Sequence, residues 1–497
     1  MIYVHSVQRA ARYYPDRHAL MDGDERLTFR QLHARIRGIA AALVQAGFVR
    51  GDRLAILLPN SSEYLSLIYA CCWLGVIAVP INVRLAPIEI EHVLADASPR
   101  GLARHSSLPA PKARLPWEVV LDEQPLKLSE EECREPCYDP EAALALIYTS
   151  GTTGKPKGVI ATHSNILANV HAGNYWIRYR EGGVYLHAAP IFHIADLPAI
   201  FAAPAFGATQ VTLPRFHVQS FCETIQKERV NYTVMVPTMM NLLTQFPDLG
   251  SYDLSSLEVL AYGGSAMSPE LISRIRAVLP HVKLMQVYGL SETGFLTGLQ
   301  DHEHSGNRLT SCGRPCPGTE VRIVGESGAE LGPGEQGELI ARGGNVMPGY
   351  WNNDVDTAGS FRSGFFHTGD IGYQDAEGYF YILDRLKDMI VTGGENVYCG
   401  EVESVLMRHV AVREAAVFGI PDDKWGEVVV ACVVCKPGET VTAAALIEYC
   451  RLSLANYKIP RRVEVLETDL PKGGSGKILK RVLREHWISV ASRSEVS

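Results

Sequence analysis

The sequence lacks an uninterrupted apolar run long enough to cross a membrane. Its longest apolar stretch, residues 65–81, is broken by Ser66, Gly75 and Pro80, whereas a spanning helix needs about 20 predominantly apolar residues. Residues 1–6 also lack the basic start and apolar core of a secretory signal. We therefore expect no integral membrane segment and a cytoplasmic location.

An excess of positive charge is also missing. The chain has 47 lysines and arginines against 55 aspartates and glutamates, a formal net charge of −8. No overall positive field favours nucleic acid or anionic lipid, so nucleic acid is not an expected partner. Hydrophobic residues make up 46% and charged residues 21% of the chain, which is typical of a packed globular protein and not of a disordered one.

The eleven cysteines show no spacing that predicts a disulfide framework. Cys432 and Cys435 have the CxxC spacing of a metal or redox pair, but they lie in an apolar run that predicts a strand, where alternate side chains face opposite sides. No second pair lies at zinc-finger distance. We therefore interpret both as buried structural thiols in a protein from a reducing compartment.

What the sequence does contain is an alternation of helix and strand patterns in its first hundred residues. Leu32, Ile36 and Ile39 recur at helical spacing, and residues 53–58 form a short apolar run that ends at Pro59. A second helix pattern and a second strand pattern follow at residues 63–74 and 76–81. Alternation with short connections predicts an α/β fold with helices packed on the faces of its sheets.

The segment at residues 103–141 departs from this alternation. It is polar, contains several prolines and includes the acidic run Glu130, Glu131 and Glu132. We interpret the segment as a surface connection and the run as a solvated face.

The rest of the chain predicts a second domain. Beyond Gly318 short strand patterns alternate with glycine turns, and a compact segment of about a hundred residues follows. This segment has a helix pattern at residues 401–409 and a strand pattern at residues 415–418. We predict a large N-terminal domain of layered α/β subdomains at 1–386 and a small mobile C-terminal α+β domain at 387–497.

Three motif-like patterns do not fit the sites that they suggest. Residues 332–337 match GxGxxG, but a strand pattern follows where a dinucleotide site needs a helix. Lys155 and Lys477 follow glycines, yet neither is followed by the serine or threonine of a Walker loop. The His-Glu-His run at residues 302–304 could chelate a metal, but its polar surroundings favour a solvated loop.

One glycine-rich segment does suit a phosphate group. Glycine lets backbone N–H groups approach an anion, hydroxyls add donors and lysine adds charge. The segment follows an apolar strand pattern and consists of Thr149, Ser150, Gly151, Thr152, Thr153, Gly154 and Lys155. It predicts a polyphosphate cradle of a non-Walker type, and the alternative is a flexible surface loop.

With this segment the sequence resembles the adenylate-forming superfamily, which includes acyl-CoA synthetases, peptide-synthetase adenylation domains and beetle luciferases. The resemblance covers the chain from about residue 28 to about residue 484, and the segment just described matches the family's phosphate loop. It implies an AMP-forming acid–thiol ligase that activates a carboxylic acid with ATP and passes the acyl group to coenzyme A. The implied cofactors are ATP, Mg²⁺ and coenzyme A.

The YGLSET segment that begins at Tyr288 resembles the family's YGxTE segment. The resemblance implies that Tyr288 and Gly289 lie at the adenine, that Ser291 contacts the α-phosphate and that Glu292 holds Mg²⁺. A carboxylate is a hard oxygen ligand, and Mg²⁺ on ATP keeps only one or two protein carboxylates. Thr149 is a second candidate for the metal site.

Two other segments resemble parts of the nucleotide site. Gly264, Ser265 and Ala266 belong to a turn that resembles the family's adenine-side turn. Asp370, in an HTGD segment, is implied to accept both ribose hydroxyls, since one carboxylate can accept two hydrogen bonds. Arg385 matches the arginine beside the ribose and phosphate.

Four residues of the C-terminal part are implied to serve the two half-reactions. Lys387 stands at the hinge position, and Gly393 and Gly394 match the glycine strand that lines the pantetheine tunnel. Lys477 matches the catalytic lysine of the C-terminal loop. Its cation would offset the repulsion between the attacking carboxylate and the α-phosphate. Rotation of the small domain about Lys387 would then remove Lys477 from the site and present the face with Gly393 and Gly394 to the thiol.

Residues 190–196 resemble the family segment that places an aromatic residue or a histidine near the acyl carbon. In this chain the resemblance implies that role for His193. Amino-acid-activating relatives carry aspartate directly after the phenylalanine of this segment, so His193 after Phe192 disfavours an amino acid. Candidate pocket residues are mainly apolar and suit a fatty or aryl acid: Val236, Met239, Gly263, Gly289 and Phe295.

Several alternatives stay open on the sequence alone. A stand-alone adenylation enzyme would pass the acyl group to a carrier-protein thiol, and a peptide-synthetase module or a luciferase-like oxygenase would share the nucleotide site. A non-catalytic nucleotide sensor would keep the phosphate cradle without needing Lys477. The expected partners are a small carboxylic acid and coenzyme A, and a homodimer is left open.

Overall fold

The computed structural model describes residues 4–124, 126, 128, 136, 139–149, 156–265, 267–393, 395–422, 424–472 and 478–494. The chain divides into two compact units. The first contains Met1–Val321 and Ile340–His367, and the second contains Arg322–Leu339 and Thr368–Ser497. Lys387 lies within the second unit. The sequence places the domain boundary at Lys387 because the small domain is expected to rotate about this residue. This division into residues 1–386 and 387–497 stays a prediction.

Helices and strands alternate along the first unit, as the sequence predicts. Its helices are α1 (Val4–Tyr13), α2 (Phe29–Gln45), α3 (Ser62–Leu74), α4 (Pro87–Ala97), α5 (His163–Ile177), α6 (Leu197–Ala205), α7 (Val218–Glu228), α8 (Pro237–Thr244), α9 (Pro269–Val278) and α10 (Asp354–Ser360). Among the described residues, no helix has the length and hydropathy needed to span a bilayer.

Local sequence sets the bounds of the early helices. Thr28 begins α2 with a capping box, because its hydroxyl accepts from the Gln31 amide (3.2 Å) while the Gln31 side chain accepts from the Thr28 amide (2.8 Å). Gly75 ends α3 at a φ of +70°, a left-handed conformation that favours glycine. The predicted helix at residues 63–74 and the break at Gly75 are therefore confirmed.

The first sheet lies in the N-terminal part of this unit. Its strands are β3 (Arg53–Leu57), β4 (Ile77–Pro80), β5 (Gly101–Arg104), β6 (Trp117–Val120), β7 (Ala143–Thr149) and β8 (Lys157–Thr162), and β1 (His18–Asp22) and β2 (Glu25–Thr28) precede them in the chain. The order across the sheet is β6-β5-β3-β4-β7-β8. Neighbours are parallel except for the hairpin β7–β8.

The second sheet carries the predicted adenine-side turn and the segment that begins at Tyr288. Its remaining strands are β9 (Val184–His187), β10 (Thr209–Thr212), β11 (Tyr232–Met235), β12 (Val259–Gly263), β13 (Lys283–Leu290), β14 (Gly294–Leu299) and β15 (Arg314–Pro315). The order is β15-β14-β13-β12-β11-β9-β10-β1-β2. Strands β13, β12, β11, β9, β10 and β1 are parallel, so their carboxyl ends share one edge, where open α/β sheets bind ligands.

Three strands contain the points at which the chain passes between the units: β16 (Thr319–Val324), β17 (Gly337–Gly343) and β19 (Phe365–Gln374). The short β18 (Phe361–Arg362) lies in the first unit. Strand β17 follows the GxGxxG match directly. This confirms that the match precedes a strand and not a helix.

The second unit has its own sheet and core. Its other elements are β20 (Phe380–Arg385), β21 (Ile390–Thr392), β22 (Glu395–Val397), α11 (Cys399–Met407), β23 (Val412–Asp422), β24 (Gly426–Cys435), α12 (Ala443–Arg451), β25 (Arg462–Leu466) and α13 (Lys480–Ser494). The sheet order is β22-β21-β24-β23, with β25 paired to β24. Val402, Leu406 and Val417 are buried in its core.

Only one of the two cysteines of β24 is buried as the sequence predicts. Cys432 is buried with 1% exposure, and burial raises the pKa of its thiol to about 11, while Cys435 is only half-buried. Two residues three positions apart on a strand face opposite sides. The interpretation as a buried thiol is confirmed for Cys432 and is wrong for Cys435, which ends the strand and is partly exposed.

The interpretation of residues 103–141 as a surface connection is wrong in part. Strand β6 lies within this segment and pairs in parallel with β5 at the edge of the first sheet. Only Val119 among its four residues is fully buried, so no periodic pattern shows in the sequence. Glu130, Glu131 and Glu132 lie outside the described residues.

The His-Glu-His run at residues 302–304 is not a solvated loop, and that interpretation is wrong. Glu303 and His304 are buried, with 3% and 8% exposure. His304 Nε2 lies 2.8 Å from the Tyr262 hydroxyl, and the Arg314 guanidinium lies 2.6 Å from Glu303 Oε1. Polar side chains can be buried here because each has a polar partner.

Candidate active site

The carboxyl edge of the second sheet brings together predicted residues that are distant in the sequence. His193 lies in the connection after β9, Val236 follows β11, Gly264 follows β12, and Glu292 follows β13. Since these four strands are parallel neighbours in the sheet, their carboxyl ends open onto a common edge. The fold thus places Gly264, Glu292 and His193, from the adenine-side, metal and acyl segments, at one edge of the second sheet, whereas Thr149 ends a strand of the first sheet.

Two glycines at this edge are required by the backbone. Gly264 has a φ of +81°, in the left-handed region that favours glycine. At Gly289 a Cβ atom would lie 1.7 Å from the carbonyl oxygen of Gly294 across the β13–β14 pair. Close strand pairing alone thus explains a glycine at 289, whereas the exposed turn at Gly264 and Ser265 is open to a ligand.

The connection that carries His193 is held by a buried asparagine. The Asn60 amide donates to the carbonyl oxygens of His187 (3.1 Å) and Ala189 (2.8 Å), and its Oδ1 accepts from the Ile191 amide (2.9 Å). Asn60 follows β3 of the first sheet, so the segment is tied to both sheets. Burial lowers the pKa of the His193 imidazole, which favours a neutral ring at this position.

A buried hydrogen-bond chain lies behind the same connection. Asp196 accepts from the Tyr185 hydroxyl (2.6 Å) and lies 2.6 Å from His187 Nδ1, and none of the three side chains is exposed. The amides of Asp196 and Leu197 both donate to the His193 carbonyl oxygen, at 3.1 and 3.2 Å. The turn that contains His193 is therefore fixed from its carboxyl side.

A small apolar cavity of about 10 Å³, roughly the space of one water molecule, lies beside this turn, between α5 and α6. None of its described lining residues carries a formal charge. Its walls consist of Asn169, Val170, Gly173, Ile177, Tyr179, Ala195, Pro198, Ala199, Ala202, Val234 and Phe295. Phe295 was predicted as a pocket residue and does line this cavity. Met239 of α8 packs in the core that the second sheet shares with α8 and α9, and its role in a pocket stays a prediction.

Glu292 has partners that the sequence did not indicate. The Tyr350 hydroxyl donates to Glu292 Oε1 at 3.0 Å, and the Met347 amide donates to the Glu292 carbonyl oxygen at 2.8 Å. No described residue donates to the second carboxylate oxygen, Oε2. Tyr350 lies 58 residues from Glu292, so only the fold brings the two together.

The phosphate segment is described only at its ends. Thr149 closes β7 and pairs with Lys157 of β8, and the Lys157 ammonium lies 2.6 Å from Asp356 Oδ2. Ser150, Gly151, Thr152, Thr153, Gly154 and Lys155 lie outside the described residues, as does Ala266. The predicted phosphate cradle stays a prediction, with its first residue placed at the carboxyl end of a strand.

The second unit brings the predicted ribose residues into contact. Asp370 of β19 pairs with Arg385 of β20, and Arg385 Nε lies 2.9 Å from Asp370 Oδ1. Asp370 is buried, with 3% exposure. The pairing joins two residues that the resemblance assigns to one ribose, and their roles stay predictions.

The remaining predicted residues of this unit are described in part. Lys387 is exposed two residues after β20, and Gly393 has a φ of +60° beside the Trp425 ring. Gly394 and Lys477 lie outside the described residues. On either side of Lys477, Lys472 and Ile478 form an isolated bridge.

Comparison with protein families assigns both parts of the chain. The model of the AMP-binding enzyme matches residues 7–351, and the model of the AMP-binding enzyme C-terminal domain matches residues 401–477. The chain belongs to the AMP-binding enzyme family. This confirms the predicted superfamily.

Relatives of this AMP-binding enzyme extend over nearly its whole length. It is 37% identical over 478 residues to the long-chain-fatty-acid–CoA ligase FadD13 of Mycobacterium tuberculosis, covering 93% of this chain and 94% of that protein. It is 36% identical to the feruloyl-CoA synthase of Amycolatopsis sp, covering 96% of this chain and 98% of that protein.

A solved structure confirms the α/β fold class of this AMP-binding enzyme. The structure of O-succinylbenzoate coenzyme A synthetase (MenE) from Bacillus subtilis, in complex with ATP and magnesium ion, matches with a TM-score of 0.88 and 34% identity. The match covers 96% of this chain and 98% of that chain.

The described residues of this AMP-binding enzyme fit a Mg²⁺ ion at Glu292. The carboxylate is half-buried, and one oxygen is held by Tyr350 while no described donor occupies the other. Mg²⁺ on ATP keeps several waters and needs only one or two carboxylates. Bound there, the ion would neutralise charge on the phosphates.

Proposed function

We propose that this AMP-binding enzyme is an ATP-dependent acyl-CoA synthetase that acts on an apolar carboxylic acid, either fatty or aryl. The names of its relatives describe ligases that join acids to coenzyme A, with a long-chain fatty acid and ferulic acid among the acids. The cofactors are ATP, Mg²⁺ and coenzyme A.

The observation that carries the substrate class is the uncharged lining of the small cavity between α5 and α6, which has a volume of about 10 Å³ and must enlarge to admit an acyl group. It adjoins the His193 turn through Ala195 and the Glu292 segment through Phe295, and its described lining holds no charge. A second carboxylate or an amine buried there would lack a partner, which is costly. An apolar acyl group of one carboxylic acid meets no such cost.

The reaction has two steps. A carboxylate oxygen of the acid attacks the α-phosphorus of ATP, and the bond to the bridging oxygen breaks so that pyrophosphate leaves with the electron pair. The thiol sulfur of coenzyme A then attacks the acyl carbon, AMP leaves with the electrons of the C–O bond, and the thiol proton passes to solvent.

The chain's own residues have assigned tasks in this scheme. His193 borders the acyl carbon as a ring kept neutral by burial. Ser291 and the phosphate segment bind the phosphates, and Glu292 holds the metal. Lys477 supplies the cation that offsets the repulsion between carboxylate and phosphate in the first step. These roles rest on the resemblance and, for His193, Ser291 and Glu292, on the shared edge of the second sheet.

Pyrophosphate release tests the proposal directly. The purified chain is given Mg·ATP and a panel of acids: straight-chain fatty acids, cinnamic acids, dicarboxylic acids and amino acids, each with and without coenzyme A. We expect release with a fatty or aryl carboxylic acid and a thioester only when coenzyme A is present. Preference for an amino acid would contradict the substrate class, and AMP without a coenzyme A thioester would contradict the acceptor.

A homodimer and a cytoplasmic location stay predictions of the sequence. Size-exclusion chromatography with light scattering distinguishes a monomer of 54.6 kDa from a dimer.

A further inference from the structure

Tyr350 touches the carboxylate that we assign to the metal, although it lies in none of the nucleotide segments. Its hydroxyl donates to Glu292 Oε1 at 3.0 Å. Three residues earlier, the Met347 amide donates to the Glu292 carbonyl oxygen at 2.8 Å. The segment 347–350 therefore holds both the backbone and the side chain of Glu292.

The backbone around Tyr350 is itself held on strand β8. Tyr350 forms an isolated bridge with Val159, the Gly349 carbonyl oxygen accepts from the Ile160 amide (3.1 Å), and the Trp351 amide donates to the Gly158 carbonyl oxygen (2.7 Å). These three contacts align residues 349–351 with the strand that follows the phosphate segment. The hydroxyl of Tyr350 is thus presented from a regular backbone and not from a free loop.

Helix α10 adds a second support. The Tyr350 amide donates to Thr357 Oγ1 at 2.9 Å, and Thr357 in turn donates to the carbonyl oxygen of Asn353 at 2.8 Å, next to the start of the helix. Asp356 of the same helix lies 2.6 Å from the Lys157 ammonium, which also lies 5.4 Å from the centre of the Tyr350 ring. The cation packs on the ring face in a favourable geometry.

We propose that Tyr350 is a positioning residue for Glu292: its hydroxyl occupies Oε1 and orients Oε2 toward the Mg²⁺ of ATP. The proposal rests on the assignment of Glu292 as the metal ligand. Mg²⁺ demands near-ideal octahedral geometry, so a freely rotating carboxylate would bind it less well than one fixed by a hydrogen bond. Groups that orient a metal ligand typically change metal affinity by about 10–100-fold when removed.

Metal binding is measured apart from activity with Mn²⁺ as the probe. Titrations of the full chain, saturated with a non-cleavable ATP analogue, are followed by electron paramagnetic resonance. Tyr350→Phe keeps the ring beside Lys157 and removes only the hydroxyl. We expect it to weaken Mn²⁺ binding by roughly tenfold or more, while binding of the analogue without metal and thioester formation from supplied acyl-adenylate stay at wild-type levels.

Tyr381→Phe is the matched control. The Tyr381 hydroxyl also donates to a carboxylate, Asp375 Oδ2 at 3.0 Å, and its ring is buried. Its loss should leave Mn²⁺ affinity unchanged. Thr357→Val, which removes the acceptor of the Tyr350 amide without touching Glu292, should weaken Mn²⁺ binding by a smaller factor and provides a second variant if Tyr350→Phe folds poorly.

The variant Glu292→Gln distinguishes a failure of the proposed role of Tyr350 from a failure of the assignment of Glu292 as the metal ligand. If Glu292→Gln loses Mn²⁺ affinity and Tyr350→Phe keeps it, the positioning role is overturned and the metal ligand stands. If Glu292→Gln binds Mn²⁺ like the wild type, the ligand assignment fails and the positioning role fails with it. The proposal would also be overturned if Tyr350→Phe lost affinity for the ATP analogue equally with and without metal. Such a result would show that the substitution disturbs the structure of the nucleotide site.

Discussion

His187 Nδ1 lies 2.6 Å from Asp196 Oδ2 at a position where neither side chain is exposed to solvent. The other carboxylate oxygen accepts from the Tyr185 hydroxyl, also at 2.6 Å. Asp196 is four residues past Phe192 and ends the turn that contains His193. A buried carboxylate with two partners therefore supports the acyl-side segment of the site.

We predict that Asp196→Ala destabilises the protein strongly. Removing the carboxylate leaves the Tyr185 hydroxyl and His187 Nδ1 without this partner, and each buried polar group left unsatisfied typically costs about 1–3 kcal/mol. The His193 turn should also loosen, so the KM for the acid should rise more than the KM for ATP. Urea unfolding and steady-state kinetics measure the two effects.

Asp253→Ala is the control for this prediction. Asp253 pairs with Arg229 at 2.6 Å, but both side chains are more than half exposed. Loss of an exposed pair should change the free energy of unfolding by no more than about 1 kcal/mol. Similar losses in the two variants would contradict a special role for the buried chain.

Acid should destabilise the protein through His163. This imidazole is buried, with 2% exposure, and burial lowers its pKa to about 4. The unfolded chain then binds a proton below about pH 6.5 that the folded chain does not bind, so the free energy of unfolding falls as the pH falls. Between pH 7 and pH 5 this one group should remove about 2 kcal/mol.

His163→Gln tests the assignment. Its free energy of unfolding, measured by urea at both pH values, should fall by less than that of the wild type. Burial also lowers the pKa of His193 and His304, so a slope of the same sign should remain. A variant whose slope equals the wild-type slope would show that His163 does not take up the proton.

Phe295 should limit the size of the acid. Its ring lines the apolar cavity and would contact a Cβ at Gly173 at 3.3 Å. Phe295→Ala opens space on the cavity side, so kcat/KM should shift toward bulkier acids relative to the best wild-type acid. The panel of acids used for pyrophosphate release measures this ratio.

Leu299→Ala separates specificity from stability. Leu299 is fully buried on the same strand and does not line the cavity. Both variants should lose stability by a few kcal/mol, since Phe→Ala and Leu→Ala in cores cost about 2–5 kcal/mol. Only Phe295→Ala should change the preference among acids, and an equal shift in both would argue against a role for the cavity.

The sequence predicted those helices and strands that show an apolar pattern along their whole length and recognisable residues at both ends. Helix α3 shows a long apolar run between Ser61 and Gly75, and both ends have capping residues. Strand β6 was missed because four residues at a sheet edge, with one fully buried, carry too little periodicity. Its position is set by backbone pairing with β5, which does not depend on the identity of the side chains and therefore cannot be detected in the sequence.

Site residues were predictable where a contiguous motif carries them. Glu292 and Asp370 stand in such motifs, whereas Tyr350 and Asp196 act through partners that only the fold brings close. The burial of His304 was missed for the same reason. Its partner Tyr262 lies 42 residues away, and the sequence around residue 302 reads as polar.

The central claim is that one cation near the carboxyl end drives acid activation and has no part in thioester formation. Lys477→Ala should lower the rate of acyl-adenylate formation by about 10²–10³-fold, the effect of one well-placed charge donor. It should still convert supplied acyl-adenylate and coenzyme A to the thioester at the wild-type rate. Lys436→Ala, which removes an exposed lysine of the same unit, should change neither rate. Adenylate formation that survives in Lys477→Ala, or equal loss of both half-reactions, would contradict the account.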